Sequence, residues 1–292
     1  ANGGFDVIVG NPPYVEYSKV RKEYTVRGFK TEASGNLFSF VIERSFETLK
    51  TSGRFGMIIP LSAFCTQRMG VLWNAMKSSR KTHWISHYGW RPAKLFEGVN
   101  LRLSIAISAN GSKSGIHTTR YNKWKSETRE YLLEGIFYTQ ANSEMLSFGI
   151  VPKMASQLED QLLRKVLHQP RTLAHLAARR GDYAVYYKNT GVNHWITATD
   201  FPPKTFRGDI PSESTRQTIL AIDTQLGRNF ALCCINSNLF FWFYTVRTNC
   251  RDLNPSDITT FPIPEGVEKD NAFSNLARSL MDSLDQNSEY IT

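Results

Sequence analysis

The chain has 292 residues, 41% of them hydrophobic, enough to bury one large core or two modest ones, and two domains are expected. No apolar run reaches the ~18 residues that a membrane-spanning helix needs, so no membrane partner is expected. The net charge of +9 is unevenly placed: residues 1–115 hold 16 Lys+Arg against 7 Asp+Glu, residues 116–292 hold 19 of each, and within these residues 266–292 hold 2 against 5. A basic first half attracts phosphate polymers through counterion release, although a solubility charge with no partner would look the same.

The chain opens on Ala1-Asn2-Gly3-Gly4, which has neither the basic nor the apolar region of a secretory leader, and reads as a piece of something longer. Phe5–Val9 is a short apolar run between glycines, the pattern of a buried strand. Residues 15–34 are polar and hold Lys19, Arg21, Lys22, Arg27 and Lys30, which suggests a loop. From Asn36 the period becomes helical, with Leu37, Phe38, Val41, Ile42, Ser45 and Leu49 on one face and Ser52-Gly53 as the stop. Phe55–Ile59 is a second buried strand, closed by Pro60. A helix over roughly 66–79, a strand around His83–Tyr88, and strands at Leu103–Ser108 and Ile116–Tyr121 follow, the last two joined as a hairpin through Asn110-Gly111. Alternating strands and helices of this kind make an α/β fold with a parallel sheet, whose ligands bind beyond the carboxyl ends of the strands.

Residues 122–150 read as a linker or an added helical segment. Residues 151–265 alternate short apolar stretches with turn signals such as Arg180-Gly181-Asp182, Asn189-Thr190-Gly191 and Phe201-Pro202-Pro203, the texture of an α+β domain. Phe230–Val246 is dense in apolar and aromatic residues, and 266–292 should hold a terminal helix over Ala272–Leu284. The cysteines, Cys65, Cys233, Cys234 and Cys250, lack metal-binding spacing; Cys233 and Cys234 are expected as buried thiols, which fits a reducing cytosol. His83 and His87 lie four apart on a strand-like segment with no further ligand type nearby, so two structural histidines are preferred to a zinc site.

Asn11-Pro12-Pro13-Tyr14 follows the first strand directly. The motif suits one chemical task. The amino group of adenine is a poor nucleophile because its lone pair is conjugated into the ring. Accepting hydrogen bonds from its N–H groups favours a more tetrahedral nitrogen with the lone pair out of plane. The Asn11 side-chain oxygen can supply one acceptor and the carbonyl of Pro12 the other, held by the fixed φ of Pro12 and Pro13. Tyr14 can stack on the base, worth roughly 1–3 kcal/mol. One exact tetrapeptide arises by chance in about 0.2% of chains of this length. A Pro-rich turn after a strand is the bland alternative.

With these residues in view, the chain resembles the adenine-N6 DNA methyltransferases of bacterial restriction–modification and phage-defence systems. The resemblance rests on Phe5–Tyr14, on Asn36-Leu37-Phe38 leading into Phe40-Val41-Ile42-Glu43, and on Arg54–Pro60. It extends more loosely to Lys94–Val99 before Leu103–Ser108, and to Cys233–Pro264 with its Leu253-Asn254-Pro255-Ser256-Asp257 and Phe261-Pro262-Ile263-Pro264. It implies part of a class I methyltransferase (Rossmann-like) sheet over 1–121, then a target-recognition domain over 151–265. It implies S-adenosylmethionine as methyl donor, double-stranded DNA as partner and a bacterial or archaeal cytoplasm. Asn11, Pro12, Pro13 and Tyr14 take the catalytic positions, and Phe96, also a candidate core residue, covers the other face of an everted base. Asn11, Asn36 and Leu37 lie where the family touches the cofactor. Lys19, Arg21, Lys22, Arg247 and Arg251 are candidates for DNA contact.

The family's glycine-rich cofactor turn lies upstream of the Asn-Pro-Pro-Tyr motif, and this sequence does not include it. The resemblance therefore implies that three strands must come from an upstream segment or a partner chain, that the chain alone binds the cofactor poorly, and that the edge of Phe5–Val9 is open. Two alternatives stay open: a DNA-binding specificity module without activity, or a methyltransferase acting on RNA or on protein glutamine.

Overall fold

The structure, a computed structural model, describes residues 3–111, 114–142, 149–192, 194–203, 205–207, 210–212 and 214–287. The apolar run after the first glycines forms β1, Phe5–Gly10. Then come a short helix α1, Tyr17–Val20, a 3-10 turn at Glu32–Ser34, helix α2, Leu37–Thr48, and strand β2, Leu49–Pro60. Helix α3, Gly70–Ser79, leads into β3, Thr82–Tyr88, followed by β4, Leu103–Ala109, β5, Gly115–Asn122, and β6, Thr139–Ala141. These six strands form one sheet of order β1-β2-β4-β3-β5-β6.

The sheet is mixed rather than purely parallel: β1, β2, β3 and β5 run one way, β4 and β6 the other. β4 and β5 do not form the expected hairpin, because β3 lies between them. The Asn110 signal serves another purpose. Its side chain accepts from the Lys81 N–H and donates to the Thr51 carbonyl, both at 3.0 Å, tying connections at the amino ends of β3 and β2. Ser112 and Lys113 of the expected hairpin loop lie outside the described residues.

Other expectations shift as well. Residues 15–34 hold α1 and the 3-10 turn instead of a featureless loop. Val41 is 37% exposed, while Phe40 and Phe46 are buried on α2. Leu49 opens β2, and Gly53 lies inside that strand instead of stopping the helix. A Cβ there would stand 2.8 Å from the Leu49 side chain, so close approach explains the glycine. Residues 122–150 supply β6 and a 3-10 turn at Ser126–Tyr131; residues 143–148 lie outside the described residues.

The two faces of this sheet differ. On one, Phe55, Met57, Ile59 and Ile85 are buried, and Phe46 of α2 packs on Phe55 with ring centroids 4.6 Å apart. His83 and His87 belong to this face. His83 Nδ1 meets Ser108 Oγ at 2.8 Å and its Nε2 meets the Arg80 carbonyl at 3.1 Å; His87 Nδ1 meets Ser104 Oγ at 2.9 Å. Burial lowers the pKa of His83 to about 4 and that of His87 well below the ordinary histidine value, so both are neutral near pH 7. They are hydrogen-bonded core groups. On the other face Phe5, Val7, Val9 and Ile107 remain exposed, so β1, expected as a buried strand, is an open edge with one bare apolar side.

By packing, the chain divides into two units: Ala1–Gln161 with Val246–Asn249, and Leu162–Thr245 with Cys250–Thr292. Helix α4, Gln157–Leu167, spans the first boundary. In the second unit the elements are β7, Arg171–Thr172; β8, Tyr183–Lys188; β9, Ala198–Thr199; β10, Thr205–Arg207; β11, Ile210–Ser212; and β12, Gln217–Ile222. Helices α5, Gln225–Ile235, α6, Asn238–Arg247, and α7, Pro255–Thr259, precede β13, Pro262–Ile263, and α8, Ala272–Asn287. β8 is the centre of a three-stranded antiparallel sheet, β12-β8-β9. Thr224 caps α5 by accepting from the Gly227 N–H at 3.1 Å, and Phe230 meets Phe273 of α8 edge-on at 4.9 Å. Cys233 is half-buried, whereas the Cys234 thiol is buried as expected, and burial pushes its pKa up. Residues 288–292 of the expected C-terminal segment lie outside the described residues.

Glu43, on α2, fastens the segment that precedes it. Its side chain is buried and accepts from the Lys30 N–H at 2.8 Å and the Thr31 N–H at 2.9 Å. Burial works against its ionisation, but the bonds from Thr31 and Lys30 outweigh it and hold the carboxyl below its ordinary pKa. Its contribution is therefore complete above the ordinary value and lost as pH falls through the lowered one. Glu43→Ala is expected to destabilise the protein by about 3 kcal/mol in chemical denaturation at neutral pH, because it strands the two N–H groups. The gap from wild type should narrow below about pH 4.

Candidate active site

Asn11 sits where β1 ends, at the carboxyl ends of the parallel strands. The Pro12 ring is buried, Pro13 is exposed and Tyr14 is half-buried. The Tyr14 hydroxyl lies 2.5 Å from Asn11 Oδ1 and 2.9 Å from the carbonyl oxygen of Ile58 on β2. It has one proton and two acceptors in reach. The motif is thus bound to the neighbouring strand through its last residue. Burial raises the Tyr14 pKa to about 12, so the phenol stays a donor throughout the neutral range.

Phe96 belongs to the connection between β3 and β4, at the same end of the sheet. It is half-buried. A cavity of about 500 Å³ is lined by Asn11 and Phe96 together, with Val9, Gly10, Ile58 and Ile107 among its walls. Asn11 and Phe96 are 85 positions apart in sequence, and the sheet brings them to one cavity. The Phe96 connection is held from both sides. Leu95 packs on the buried cluster of Tyr88, Ala93 and Trp124. Arg129, from the 3-10 turn at Ser126–Tyr131, donates to the Lys94 carbonyl at 2.8 Å and to the Leu95 carbonyl at 2.7 Å. Sequence reasoning missed Arg129, because nothing in its local pattern distinguishes it from a solvated surface arginine.

The remaining candidates divide. Asn36 has its amide turned inward, donating to the Ser34 carbonyl at 3.1 Å, and is 7% exposed. Leu37 heads α2, and its N–H donates to the Val15 carbonyl at 3.0 Å. Gly35 holds a φ of +65°, which favours glycine, and accepts from the Tyr17 N–H at 2.8 Å. These bonds place the start of α2 beside the segment leaving Tyr14. Lys19, Arg21 and Lys22 are exposed on α1 and the turn after it. Arg247, at the end of α6, is half-buried, and burial lowers its pKa. Arg251 is exposed and faces Asp252 at 3.5 Å.

Comparison with known proteins adds to this geometry. A family model of the Eco57I restriction-modification methylases matches residues 1–96. The DNA complex of the type IIL restriction-modification enzyme MmeI matches 97% of this chain and 50% of its own, with 9% identity and a TM-score of 0.52. This chain is restriction–modification methylase-like. The type IIG restriction endonuclease BpuSI is matched over 96% of this chain and 49% of its own, at 13% identity and a TM-score of 0.37. The type ISP enzyme LlaGI with a DNA substrate mimic is matched over 65% and 21%, at 13% identity and a TM-score of 0.39. At such identities the likeness is one of fold. The methylase-like chain spans half of the MmeI chain and about a fifth of the LlaGI chain. No curated protein matches it by sequence.

The Arg129 fork gives the methylase-like chain a checkable feature. Arg129→Ala should loosen the Phe96 connection and speed tryptic cleavage after Lys94. Arg129→Lys should restore little, since an ammonium cannot hold two carbonyls in one plane as a guanidinium does. Unchanged cleavage in Arg129→Ala would mean that Leu95 packing alone fixes the connection.

Proposed function

We propose that this chain carries the target-base pocket of a DNA methyltransferase of a restriction–modification system, acting on the N6 amino group of adenine. The observation that carries the reading is the shared cavity of Asn11 and Phe96 at the carboxyl ends of β1 and β2. The match of residues 1–96 to a restriction-modification methylase family supports it, as does the fold likeness to MmeI, an enzyme solved in complex with DNA. The surplus of cations in residues 1–115, with Lys19, Arg21 and Lys22 exposed, suits a polyphosphate partner.

The chemistry follows from the bonds on the motif. Before a base arrives, Asn11 Oδ1 is within reach of the Tyr14 hydroxyl proton. Ile58 offers that proton a second acceptor at 2.9 Å. An incoming amino N–H can therefore take Asn11 Oδ1 while Tyr14 turns its proton to the Ile58 carbonyl, and no donor is stranded. With the Pro12 carbonyl as the second acceptor, the amino nitrogen gains nucleophilicity without a strong base. Tyr14 and Phe96 hold the ring. The base has to leave the duplex stack to reach them, at a cost of about a few kcal/mol.

S-adenosylmethionine is the methyl donor proposed, supplying an electrophilic methyl group. The described residues do not form a full seat for it. Asn36, a cofactor-side candidate by resemblance, has its amide bonded to the Ser34 carbonyl and is buried. The open edge of β1, with Phe5, Val7 and Val9 exposed, is the place where an upstream segment or partner chain would complete the sheet and the seat.

Asn11→Ala should lower methyl transfer to duplex DNA by about 10²–10³-fold in a protein with a complete donor site, while DNA affinity changes little. A normal single-turnover rate in Asn11→Ala would overturn the reading.

A further inference from the structure

In the second unit, one large ring is displayed where the chain had an alternative. Trp195 is 73% exposed. It belongs to the excursion between Lys188, the last residue of β8, and Ala198, which pairs with Tyr187 on the return. The excursion is anchored: Val192, Ile196 and Ala198 are 6%, 5% and 0% exposed. With Ile196 and Ala198 turned inward, alternation sends Trp195 and Thr197 outward. The segment buries the isoleucine and shows the larger indole. One exposed ring is common on a protein surface, and what stands around it decides whether it has a partner.

Cations gather at the same end of this sheet. Lys188 ends β8. Arg216 immediately precedes β12, and its carbonyl accepts from the Asn189 N–H at 3.0 Å. Arg251 is brought there by the bridge between Thr190 and Asp252 and by the Leu253 N–H, which donates to the Asn189 carbonyl at 2.9 Å. Lys188, Arg216 and Arg251 are all exposed, as is His194 beside Trp195. Carboxylates belong to this set too: Asp252 lies 3.5 Å from Arg251, and Asp257 is close to Tyr187 of β8 and to Asp252. An exposed aromatic ring with exposed cations at the same end of its sheet suits bases flanked by phosphates.

We infer that Trp195 and the cations at its end of the sheet make a duplex-DNA contact, with Trp195 stacking on or wedging between bases and Lys188, Arg216 and Arg251 on the flanking phosphates. The inference rests on the reading that this protein acts on DNA, and it assigns the recognition surface that reading lacks. Arg251 was a candidate from sequence; Trp195, Lys188 and Arg216 become candidates through the pairing of β8 with β9 and β12.

The test is fluorescence anisotropy of the full chain with a labelled mixed-sequence duplex over a range of salt concentrations. Trp195→Ala should weaken binding by about 5- to 150-fold, as expected for losing one stacked base. Its dependence of log affinity on log salt should stay unchanged, because the indole neutralises no phosphate. Trp195→Phe, which keeps a ring, should recover most of the loss. Lys188→Ala, Arg216→Ala and Arg251→Ala should each flatten the salt slope by about 0.9. If the wild-type chain binds no duplex, the DNA reading falls and this inference with it. If the wild type binds and Trp195→Ala matches it in affinity, the inference is overturned while the DNA reading stands.

Discussion

The candidate site depends on one hydroxyl. Tyr14 reaches Asn11 within its own motif and the Ile58 carbonyl on the next strand, so a four-residue turn is fixed to the sheet at its far end. Two prolines stiffen the turn but cannot attach it, since neither has an N–H to give. The attachment has to come from a side chain, and Tyr14 supplies it from a half-buried ring whose raised pKa keeps the proton in place. Because the proton has a choice of acceptors, the same group that orders Asn11 can release it. A single, committed bond would hold Asn11 more firmly and leave its oxygen less available to a ligand.

The sheet that carries this turn is finished on one face and bare on the other. On the finished face the buried histidines are paired: they lie across from serines on β4, hydrogen-bonded and neutral. Unpaired, each would carry the full cost of a buried polar group. On the other face Val7, Val9 and Ile107 lie open, and the cavity under Phe96 runs along that bare side. The strand next to that opening pairs in parallel with β2, and parallel strands are built for cover on both faces. The pocket and the missing cover are therefore neighbours, so whatever covers the edge also shapes the approach to Asn11.

Much of this was legible in the sequence, for identifiable reasons. β2, α2 and α3 were readable from period and composition because local burial dominates there. The Asn11 turn was readable because prolines and a strand end leave few conformations. What could not be read was decided by pairing at a distance. Asn110-Gly111 has the letters of a hairpin, yet β3 inserts between β4 and β5, and Asn110 binds Lys81 and Thr51 instead. Residues 122–150 looked like a linker, since neither β6 nor the Arg129 fork has a periodic signature. β1 looked buried because its composition reports the cover it is suited to, whereas exposure depends on which chains are present.

Phe96 and Trp195 show one construction used in each unit. Next to Phe96 stands Leu95, packed on Tyr88, Ala93 and Trp124; next to Trp195 stands Ile196, 5% exposed. Burial of one neighbour leaves the other turned away: Trp195 and Thr197 are exposed on either side of buried Ile196, and Phe96 stays half-exposed beside the packed Leu95. An aliphatic anchor therefore fixes the direction of the ring beside it without touching that ring's outer face. A ring fixed in this way loses little rotational freedom when a flat ligand arrives, so more of the stacking energy remains as affinity. The same arrangement explains why both rings are hard to judge from sequence: an aromatic next to an aliphatic reads as core, and only the folded packing shows which of the two is inside.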